Sequence, residues 1–347
     1  MLKLTHHNVH NYFKLNGYHL NGKELSRIAY SYIKEGDFYE QVIGEFLLDW
    51  FDNKDYIEVT TSGSTGLPKQ VKLEKQAMIQ SALATGDFFG LKPGDKALLC
   101  LPTQFIAGKM MLVRSLILGL DIDVVEPSLT PLARNKTKYD FVAMVPLQVQ
   151  NSIKELKNVK KLIVGGAKMD ASLEEKLLSS KTKIYETYGM TETITHIAAK
   201  RIGEKAFSVL PNVKIYRDER ECLVISVPSI SDEPIVTNDL VELINDNQFI
   251  FIGRIDNVIN SGGVKLVPEQ IEAKLVGKIK SRFFVTGVPD ITLGEKLILV
   301  VEGEKQEFTP DFFDFLEKYE KPKEIVFVPK FKETGNGKML RKPSLEA

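Results

Sequence analysis

The chain has 347 residues, with 46 basic and 46 acidic side chains and a formal net charge of zero. Hydrophobic residues make up 43% and charged residues 27%, a composition that can bury a substantial core in two domains. The charge balance excludes a general nucleic-acid binder, because phosphate neutralisation needs a basic excess or a basic face. No uncharged run reaches the roughly 18 residues that span a bilayer. We therefore expect a soluble cytoplasmic protein that binds neither nucleic acid nor membrane.

The first predicted elements are two helices, at 23–34 and 37–51, because apolar residues recur there at helical spacing. From residue 56 short apolar strands alternate with helices. The predicted strands are 57–60, 97–101, 121–125, 141–145, 161–164 and 183–186. The predicted helices between them are 74–89, 108–118, 147–156 and 171–178. This alternation predicts an α/β fold with a mostly parallel sheet covered by helices.

The pattern changes after about residue 195, where strands become short and closely spaced and helices are absent until Pro268. This stretch predicts a β-rich subdomain. The remaining chain, from about residue 255, follows the pattern strand, helix, strand, strand, helix, strand, which predicts a small α+β domain. We therefore expect an N-terminal domain at 1–254 and a C-terminal domain at 255–347.

A run of hydroxyl residues and glycines follows the strand at 57–60 and precedes the predicted helix at 74–89. Glycines let the backbone approach a ligand, and exposed N–H groups with a nearby lysine suit an anionic phosphate chain. The spacing differs from that of a Walker loop, and a flexible surface turn is the alternative interpretation. The candidate phosphate-binding residues are Thr61, Ser62, Gly63, Ser64, Thr65, Gly66 and Lys69.

Three further motifs follow in the sequence. Residues 185–193 come after a predicted strand, where open α/β sheets bind ligands, and they offer an aromatic ring, hydroxyls and a carboxylate that can hold Mg²⁺. An ordinary strand-to-turn segment is the alternative there. Residues 251–265 contain Arg254, Asp256 and a Gly-Gly pair. Near the end, Lys338 stands in a glycine-rich loop that can deliver an ammonium group to a remote site, although a solvated lysine is the alternative.

These four motifs, in this order, resemble those of the adenylate-forming superfamily of acyl- and aryl-CoA ligases, luciferases and peptide-synthetase adenylation domains. The resemblance runs from about residue 58 to residue 341. It implies ATP, Mg²⁺ and CoA, and two half-reactions. A carboxylate first attacks the α-phosphate of ATP to give an acyl-adenylate and pyrophosphate, and a thiol then displaces AMP to give a thioester. It also implies a mobile C-terminal domain that rotates about a hinge at Asp256.

The resemblance also implies roles for individual residues. Lys338, Thr191 and Glu192 are the implied catalytic residues, and Glu192 is the implied metal ligand. The implied adenine- and ribose-binding residues are Gly165, Gly166, Glu186, Thr187, Tyr188, Gly189, Asp239 and Arg254. The implied loop for CoA and thioester formation contains Ser261, Gly262, Gly263 and Lys265.

The acid substrate is suggested by a softer resemblance to a compact branch that activates o-succinylbenzoate in menaquinone synthesis. It rests on residues 144–148, on the helix at 112–116 and on a histidine after the adenine motif. One carboxylate of this acid must react while the other needs a partner. Lys109 could supply that charge or could snorkel from a helix edge, and His196 could bind the acid or be a satisfied strand histidine. The candidate acid-binding residues are Phe105, Lys109, Ala167 and His196, of which Phe105 either gates the pocket or fills the core.

Other functions remain open at this point. The phosphate loop begins near residue 60, earlier than is usual in the superfamily, which implies a shortened N-terminal subdomain. A ligase for another acid, an enzyme that uses a carrier-protein thiol and a non-catalytic nucleotide-binding regulator are the alternatives. The presence together of Lys69, Glu192, Asp239, Arg254 and Lys338 argues against the regulator. The habit of the superfamily implies a monomer or a homodimer.

Overall fold

The computed structural model describes residues 4–60, 70–133, 135–309, 311–333 and 339–345. Contacts divide the chain into two compact units. The first comprises Met1–Lys214 and Ser226–Ile235, and the second comprises Ile215–Ile225 and Val236–Ala347. The contacts thus group residues 236–254 with the C-terminal part of the chain. The boundary that we expect between residues 254 and 255 is defined by rotation about a hinge, and it stays a prediction.

The helices of the first unit agree with the amphipathic patterns. Asn21 caps the first of them, since its side chain accepts from the N–H groups of Lys23 and Glu24, while the Glu24 carboxylate accepts from the Asn21 N–H. Among the described residues, no helix is both long enough and apolar enough to cross a bilayer. The helices are α1 (Gly22–Glu35), α2 (Phe38–Phe51), α3 (Lys75–Phe89), α4 (Ile106–Leu118), α5 (Pro146–Asn151) and α6 (Ala171–Leu177).

The strands of the first unit form a large sheet and a separate hairpin. They are β1 (Lys14–Leu15), β2 (Tyr18–His19), β3 (Tyr56–Thr60), β4 (Gln70–Glu74), β5 (Lys96–Leu99), β6 (Asp121–Val124), β7 (Tyr139–Met144), β8 (Val159–Val164), β9 (Lys183–Gly189), β10 (His196–Arg201) and β11 (Phe207–Val209). The order in the large sheet is β2-β1-β6-β5-β7-β8-β9-β10-β11. All neighbours from β1 to β9 are parallel, whereas β2, β10 and β11 pair antiparallel. The predicted parallel sheet is confirmed.

The hairpin contains a strand that the sequence did not predict. β3 pairs antiparallel with β4, so this strand lies between the segment at 61–69 and the predicted helix at 74–89, which is confirmed as α3 from Lys75. Alternation explains the difference, because Val71 and Leu73 point to one face of a short strand while their neighbours are polar.

Helices cover both faces of the sheet, as the side chains of β5 demonstrate. Ala97 and Leu99 belong to one apolar cluster, which also contains Trp50 of α2. Leu98 and Cys100 belong to another, which contains residues of α5 and α6. A strand that is buried on both faces reads as a continuous apolar run, and this explains the pattern at 97–101. Trp50 has no exposed surface and is part of the core.

The second unit contains two sheets. Its strands are β12 (Lys214–Arg217), β13 (Cys222–Ser226), β14 (Ile235–Asn245), β15 (Gln248–Arg254), β16 (Ile259–Ser261), β17 (Val264–Leu266), β18 (Phe283–Asp290), β19 (Gly294–Glu302) and β20 (Glu324–Val328). Its helices are α7 (Pro268–Leu275) and α8 (Arg341–Leu345). Four of these strands belong to one of the two sheets and follow each other in the order β12-β13-β14-β15. The other has the order β17-β16-β19-β18, with β20 parallel to β19.

The helix expected between the last two strands of this α+β pattern is absent from the described residues. Residues 311–320 form successive turns instead. The Phe308 ring packs edge-on against that of Phe312, and Leu316 is buried in the same apolar cluster. Tertiary packing of these large side chains replaces the continuous helical hydrogen bonding that the spacing suggested.

Candidate functional site

Two predicted site segments lie outside the described residues. They are the candidate phosphate loop, Thr61 to Lys69, and the loop that carries Lys338. Their flanks are described. Thr60 and Gln70 are register partners at the open end of the β3–β4 hairpin, and Glu333 and Met339 form an isolated antiparallel bridge. Each segment therefore begins and ends at paired residues.

The carboxyl ends of β8 and β9 bring Gly165 and Thr187 together. The Thr187 hydroxyl donates to the Val164 carbonyl at 3.1 Å, and the Gly165 N–H donates to the Met144 carbonyl at 3.2 Å. A Cβ atom on Gly165 would lie only 2.6 Å from the Thr187 Oγ1. Glycine is therefore needed here because the turn at 165–167 passes so close to its neighbouring strand. Gly166 is exposed and Ala167 half-buried beside it.

The middle of β9 presents Glu186 and Tyr188 toward β10 and β11. The Glu186 carboxylate forms an ion pair with Lys200 at 3.0 Å, and both side chains are largely buried. The Tyr188 ring lies 5.9 Å from that of Phe207, centre to centre, and the Lys200 ammonium lies 5.3 Å from the same Phe207 ring. Glu186 thus already has a cationic partner within the protein, which the sequence did not reveal.

A short 3₁₀ turn at Thr191–Thr193 follows β9 and carries Glu192. The Glu192 side chain is exposed and makes no ion pair or hydrogen bond with the described part of the chain. In that same part, no group of three or more His, Cys, Asp or Glu residues could hold a metal ion. One free carboxylate suits Mg²⁺, which keeps several waters and takes phosphate oxygens as its other ligands. Glu192 therefore fits the predicted role of a metal ligand.

Ile194, next in the chain, has an unusual backbone conformation. Its φ is 65° and its ψ is −58°, and the Thr195 N–H donates to the Thr193 carbonyl at 2.7 Å. These values describe a tight γ-turn, which is rare and strained. The Ile194 side chain is 2% exposed and belongs to the large core cluster of the first unit. Core packing therefore holds the turn that ends the predicted adenine and metal motif.

Beyond this turn, Arg114 of α4 forms an unexpected buried cluster. Its side chain is 1% exposed. The Nη2 atom lies 3.3 Å from Thr195 Oγ1 and 3.4 Å from His196 Nδ1. The Nε atom lies 3.4 Å from Thr85 Oγ1, and Nη1 lies 3.8 Å from Met111 Sδ. These contacts are long, and none of the carboxylates in the described ranges forms an ion pair with this guanidinium.

Burial shifts the pKa of both titratable members of this cluster, Arg114 and His196. It lowers the pKa of Arg114 to about 9. Burial and the nearby Arg114 charge hold the pKa of His196 well below its ordinary value, so this imidazole is neutral at pH 7. His196 is also the register partner of Gly189 across β9 and β10. The cluster is therefore adjacent to the strand end that carries the predicted adenine motif.

The sequence left two interpretations open for Lys109 and His196, acid binding or, respectively, a lysine at a helix edge and a satisfied strand histidine. In the structure, Arg114 and not Lys109 contacts His196. The Lys109 ammonium lies 5.0 Å from the centre of the Phe46 ring, and burial lowers its pKa. Phe105 is 38% exposed at the start of α4, so it does not fill the core. The signal that singled out Lys109, a charge inside an apolar helix, applied equally to Arg114, five residues later.

In the second unit, β14 and β15 bring Asp239, Arg254 and Asp256 together. Arg254 Nη1 lies 3.5 Å from Asp239 Oδ1, and Nη2 lies 2.8 Å from Asp256 Oδ2. The Asn238 side chain donates to the same Asp256 carboxylate at 3.1 Å. The hydrogen bond from Arg254 is the largest influence that lowers the pKa of Asp256. The three residues predicted for ribose binding and for the hinge thus form one cluster, and Asn238 is a member that the sequence did not reveal.

The candidate thioester loop is the tip of the β16–β17 hairpin. Ser261 and Val264 are register partners, and the two residues between them have positive φ angles, 57° at Gly262 and 82° at Gly263. Two successive positive φ angles define the type I′ turn that fits the twist of a hairpin, and this requires glycine-like residues. Lys265 is exposed beside the turn.

Comparison with known proteins identifies the family. The family model described as "AMP-binding enzyme" matches residues 55–221. A solved structure of an acyl-CoA synthetase (AMP-forming)/AMP-acid ligase II-like protein from Dyadobacter fermentans is 34% identical and has a TM-score of 0.63. The match covers 92% of this chain and 97% of that one. The chain therefore belongs to the AMP-binding, adenylate-forming enzyme family.

More distant relatives have named substrates. A 2-succinylbenzoate–CoA ligase of Staphylococcus aureus is 27% identical over 322 residues, which cover 81% of this chain and 65% of that protein. The chain therefore spans about two thirds of the length of this relative. The O-succinylbenzoate coenzyme A synthetase of Bacillus subtilis, solved with ATP and magnesium ion, is 21% identical with a TM-score of 0.72. That match covers 83% of this chain and 69% of the other, and it supports the fold.

Proposed function

We propose that this chain is an AMP-forming acid–thiol ligase. It activates a carboxylic acid with ATP through an acyl-adenylate and then transfers the acyl group to CoA. The acid that we propose is o-succinylbenzoate, which carries two carboxylates and a ketone. Family membership supports the reaction class, and the relatives named for 2-succinylbenzoate support the acid.

The observation that carries the choice of a dicarboxylate is the buried Arg114. A guanidinium buried without an acidic partner is costly, because burial removes its hydration and nothing of opposite charge compensates. A carboxylate of the substrate supplies the missing charge. The position is suitable, since His196, a neighbour of Arg114, pairs in register with Gly189 of the adenine motif. One carboxylate of the acid pairs with Arg114 while the other reacts at the nucleotide.

The first half-reaction brings two anions together, the acid and the α-phosphate. Electrostatic stabilisation and in-line positioning are therefore the main tasks of the protein. Lys338 and Thr191 contact the α-phosphate in this proposal, and Thr61 to Lys69 hold the pyrophosphate. Glu192 would hold Mg²⁺, and the positive charge of the bound ion would offset the negative charge of the phosphates. Tyr188 and the turn at 165–167 contact the adenine, and Asp239 with Arg254 contacts the ribose.

The second half-reaction needs a thiol in place of the lysine. We propose that residues 255–347 rotate about Asp256, which removes Lys338 and brings the turn at Gly262–Gly263 to the thiol channel. Ser261 and Lys265 flank that turn. The same surface of the N-terminal region, residues 1–254, then serves both half-reactions.

The decisive experiment measures both half-reactions with purified chain, ATP, Mg²⁺ and CoA. The acids are o-succinylbenzoate, benzoate and a medium-chain fatty acid. We expect pyrophosphate release and thioester formation, with a strong preference for the dicarboxylate. Activity with another acid alone would retain the reaction and refute the substrate. Adenylate and pyrophosphate without a CoA thioester would indicate a carrier-protein thiol. A rise in melting temperature with ATP but no pyrophosphate would indicate a regulator.

Two matched acids separate the roles of the carboxylates. 4-Oxo-4-phenylbutanoate lacks only the aromatic carboxylate of o-succinylbenzoate, and 2-propanoylbenzoate lacks only the aliphatic one. We expect one of them to be activated slowly, because it retains the reacting group and lacks the partner of Arg114. The other should compete with o-succinylbenzoate without releasing pyrophosphate. Equal activation of the dicarboxylate and of both monoacids would contradict the pairing with Arg114.

A further inference from the structure

The residues on either side of the Lys338 loop are held by hydrogen bonds. Glu333 and Met339 bridge antiparallel, and the Leu340 N–H donates to the Lys332 carbonyl at 2.8 Å. The Lys332 N–H in turn donates to the Ser344 hydroxyl oxygen at 2.9 Å. We call residues 331–333 together with 339–341 the stem. Its two sides are therefore fixed to each other and to α8.

Arg341 joins this stem to the rest of the second unit. Its Nη1 atom donates to the Val285 carbonyl at 2.8 Å and lies 2.7 Å from Glu272 Oε1. Its Nη2 atom donates to Glu272 Oε2 at 3.0 Å. The guanidinium carbon also lies 5.7 Å from the centre of the Phe284 ring. Paired hydrogen bonds between a guanidinium and a carboxylate are strong and fix orientation as well as distance.

Glu272 is itself firmly placed on α7. Its side chain is 13% exposed, and its Oε1 accepts from the Val285 N–H at 2.8 Å. Burial raises the pKa of Glu272, while Arg341 and the Val285 N–H act in the opposite direction. Arg341 is therefore fixed at three points, by a helix, by a strand and by an aromatic ring.

A second carboxylate of α7 connects this arrangement to the proposed hinge. Glu269 Oε1 lies 3.6 Å from Arg341 Nη2 and accepts from the Asn257 side chain at 2.5 Å. Asn257 directly follows Asp256. Glu269 is 8% exposed, and its Oε2 has no hydrogen-bond partner among the residues that the structure describes. One buried side chain thus contacts both the hinge segment and the arginine of the stem.

We infer that Arg341 is a positioning residue that holds the stem of the Lys338 loop against α7 and, through Glu269 and Asn257, in fixed relation to the hinge. This inference rests on the proposed function, in which Lys338 acts in adenylation alone. Lysine has a flexible four-carbon side chain, so its backbone must be fixed if its ammonium group is to arrive at one place. Arg341 makes the stem move with α7 when the region rotates.

The test separates the half-reactions in Arg341→Met, Arg341→Lys and a matched control. Lys274→Met is the control. Lys274 is on α7, as Glu272 is, and it forms an ion pair with Glu320 at 2.6 Å instead of contacting the stem. We expect Arg341→Met to lower the rate of adenylation about 10- to 100-fold, since misplacing a catalytic group by an ångström has a cost of that order. Thioester formation from supplied acyl-adenylate should fall less than about threefold. Arg341→Lys should recover part of the adenylation rate, and Lys274→Met should behave as the unmodified chain.

The outcomes distinguish this inference from the proposed function. A chain that releases no pyrophosphate with any acid would overturn both. A chain that is active, loses adenylation in Lys338→Ala and keeps it in Arg341→Met would overturn the positioning role alone. Equal losses by Arg341→Met in both half-reactions would indicate a structural role only and would also overturn it. Thermal unfolding of each variant checks that the comparison is between folded proteins.

Discussion

Two arginines of this protein, Arg114 fully buried and Arg341 partly buried, have opposite surroundings. The contacts of Arg114 are 3.3 to 3.8 Å long and include no carboxylate of the described residues. Arg341 makes contacts of 2.7 to 3.0 Å with a carboxylate and a carbonyl. A buried charge destabilises the folded state little when an oppositely charged partner is present, and strongly when that partner is missing. The unpaired arginine therefore indicates a ligand, whereas the paired one indicates a fixed framework.

The largest expected effect comes from replacing the unpaired arginine. Arg114→Met keeps an unbranched apolar stem, although a shorter one, and removes the charge. We expect kcat/KM for o-succinylbenzoate to fall at least about 100-fold, because losing one partner of a buried charge pair costs about 2–5 kcal/mol. The unmodified chain should activate one of the two monoacids, which has no carboxylate for Arg114. For that monoacid, kcat/KM should change less than about threefold in Arg114→Met. Steady-state kinetics with both acids measure this, and equal losses would refute the comparison.

Stability should respond in opposite directions at the two arginines. Glu272→Gln removes the closer of the two carboxylates that contact Arg341 and leaves Glu269 at 3.6 Å. We expect the free energy of unfolding to fall by about 1–3 kcal/mol, less than for a fully buried pair because Arg341 is partly exposed. Arg114→Met should leave this free energy unchanged or raise it, since an uncompensated buried charge is removed. Urea denaturation of both variants provides the measurement. A loss of stability in Arg114→Met comparable to that in Glu272→Gln would show that the cluster around Arg114 stabilises the fold.

The free energy of unfolding should depend on pH through His196, which lies beside Arg114. The pKa of His196 is lowered in the folded protein, so the unfolded chain binds a proton there first as the pH falls. The contribution of His196 to stability is therefore complete above about pH 6.5 and is lost below it, by up to about 1.4 kcal/mol per pH unit. His196→Asn should flatten this part of the profile of unfolding free energy against pH from 7 to 5. A variant with the same slope as the unmodified chain would exclude His196 as its source.

The smallest effect is expected at the other charge of α4. The Lys109 ammonium lies over the Phe46 ring and does not contact His196, so Lys109→Ala should change KM for o-succinylbenzoate less than about twofold. The same kinetic assay as for Arg114→Met applies. A rise in KM of tenfold or more would restore the initial hypothesis that Lys109 holds the second carboxylate.

Local patterns in the sequence predicted much of the fold. The apolar run at 97–101 predicted a central strand because both faces of β5 are buried. The strand β4 was missed because its five residues, Gln70–Glu74, lead directly into α3, and one short alternation is easily read as the start of a helix. The turns at 311–320 were missed because their aromatic residues pack with each other, which depends on the tertiary structure.

The sequence could predict which candidate residues lie close together only where they stand on strands that pair directly with each other. Asp239 and Arg254 are register partners of one antiparallel pair, so the motif order was sufficient. Arg114 and His196 are 82 residues apart, and their contact depends on how α4 is rotated against the sheet. A helix that is apolar on nearly all sides gives no signal for that rotation, so the sequence could not choose between its two charged residues.

The γ-turn at Ile194 lets packing of the hydrophobic core determine the distance between two candidate site residues. Glu192 and His196 stand on either side of a residue whose side chain is anchored in the core, so their spacing is set by apolar packing and not by either ligand. In the proposed function, a substitution that reshapes the interior around this isoleucine would change the distance between the nucleotide and the acid without touching either. Selection of this protein for heat resistance would therefore have to keep this part of the interior unchanged if turnover is to survive.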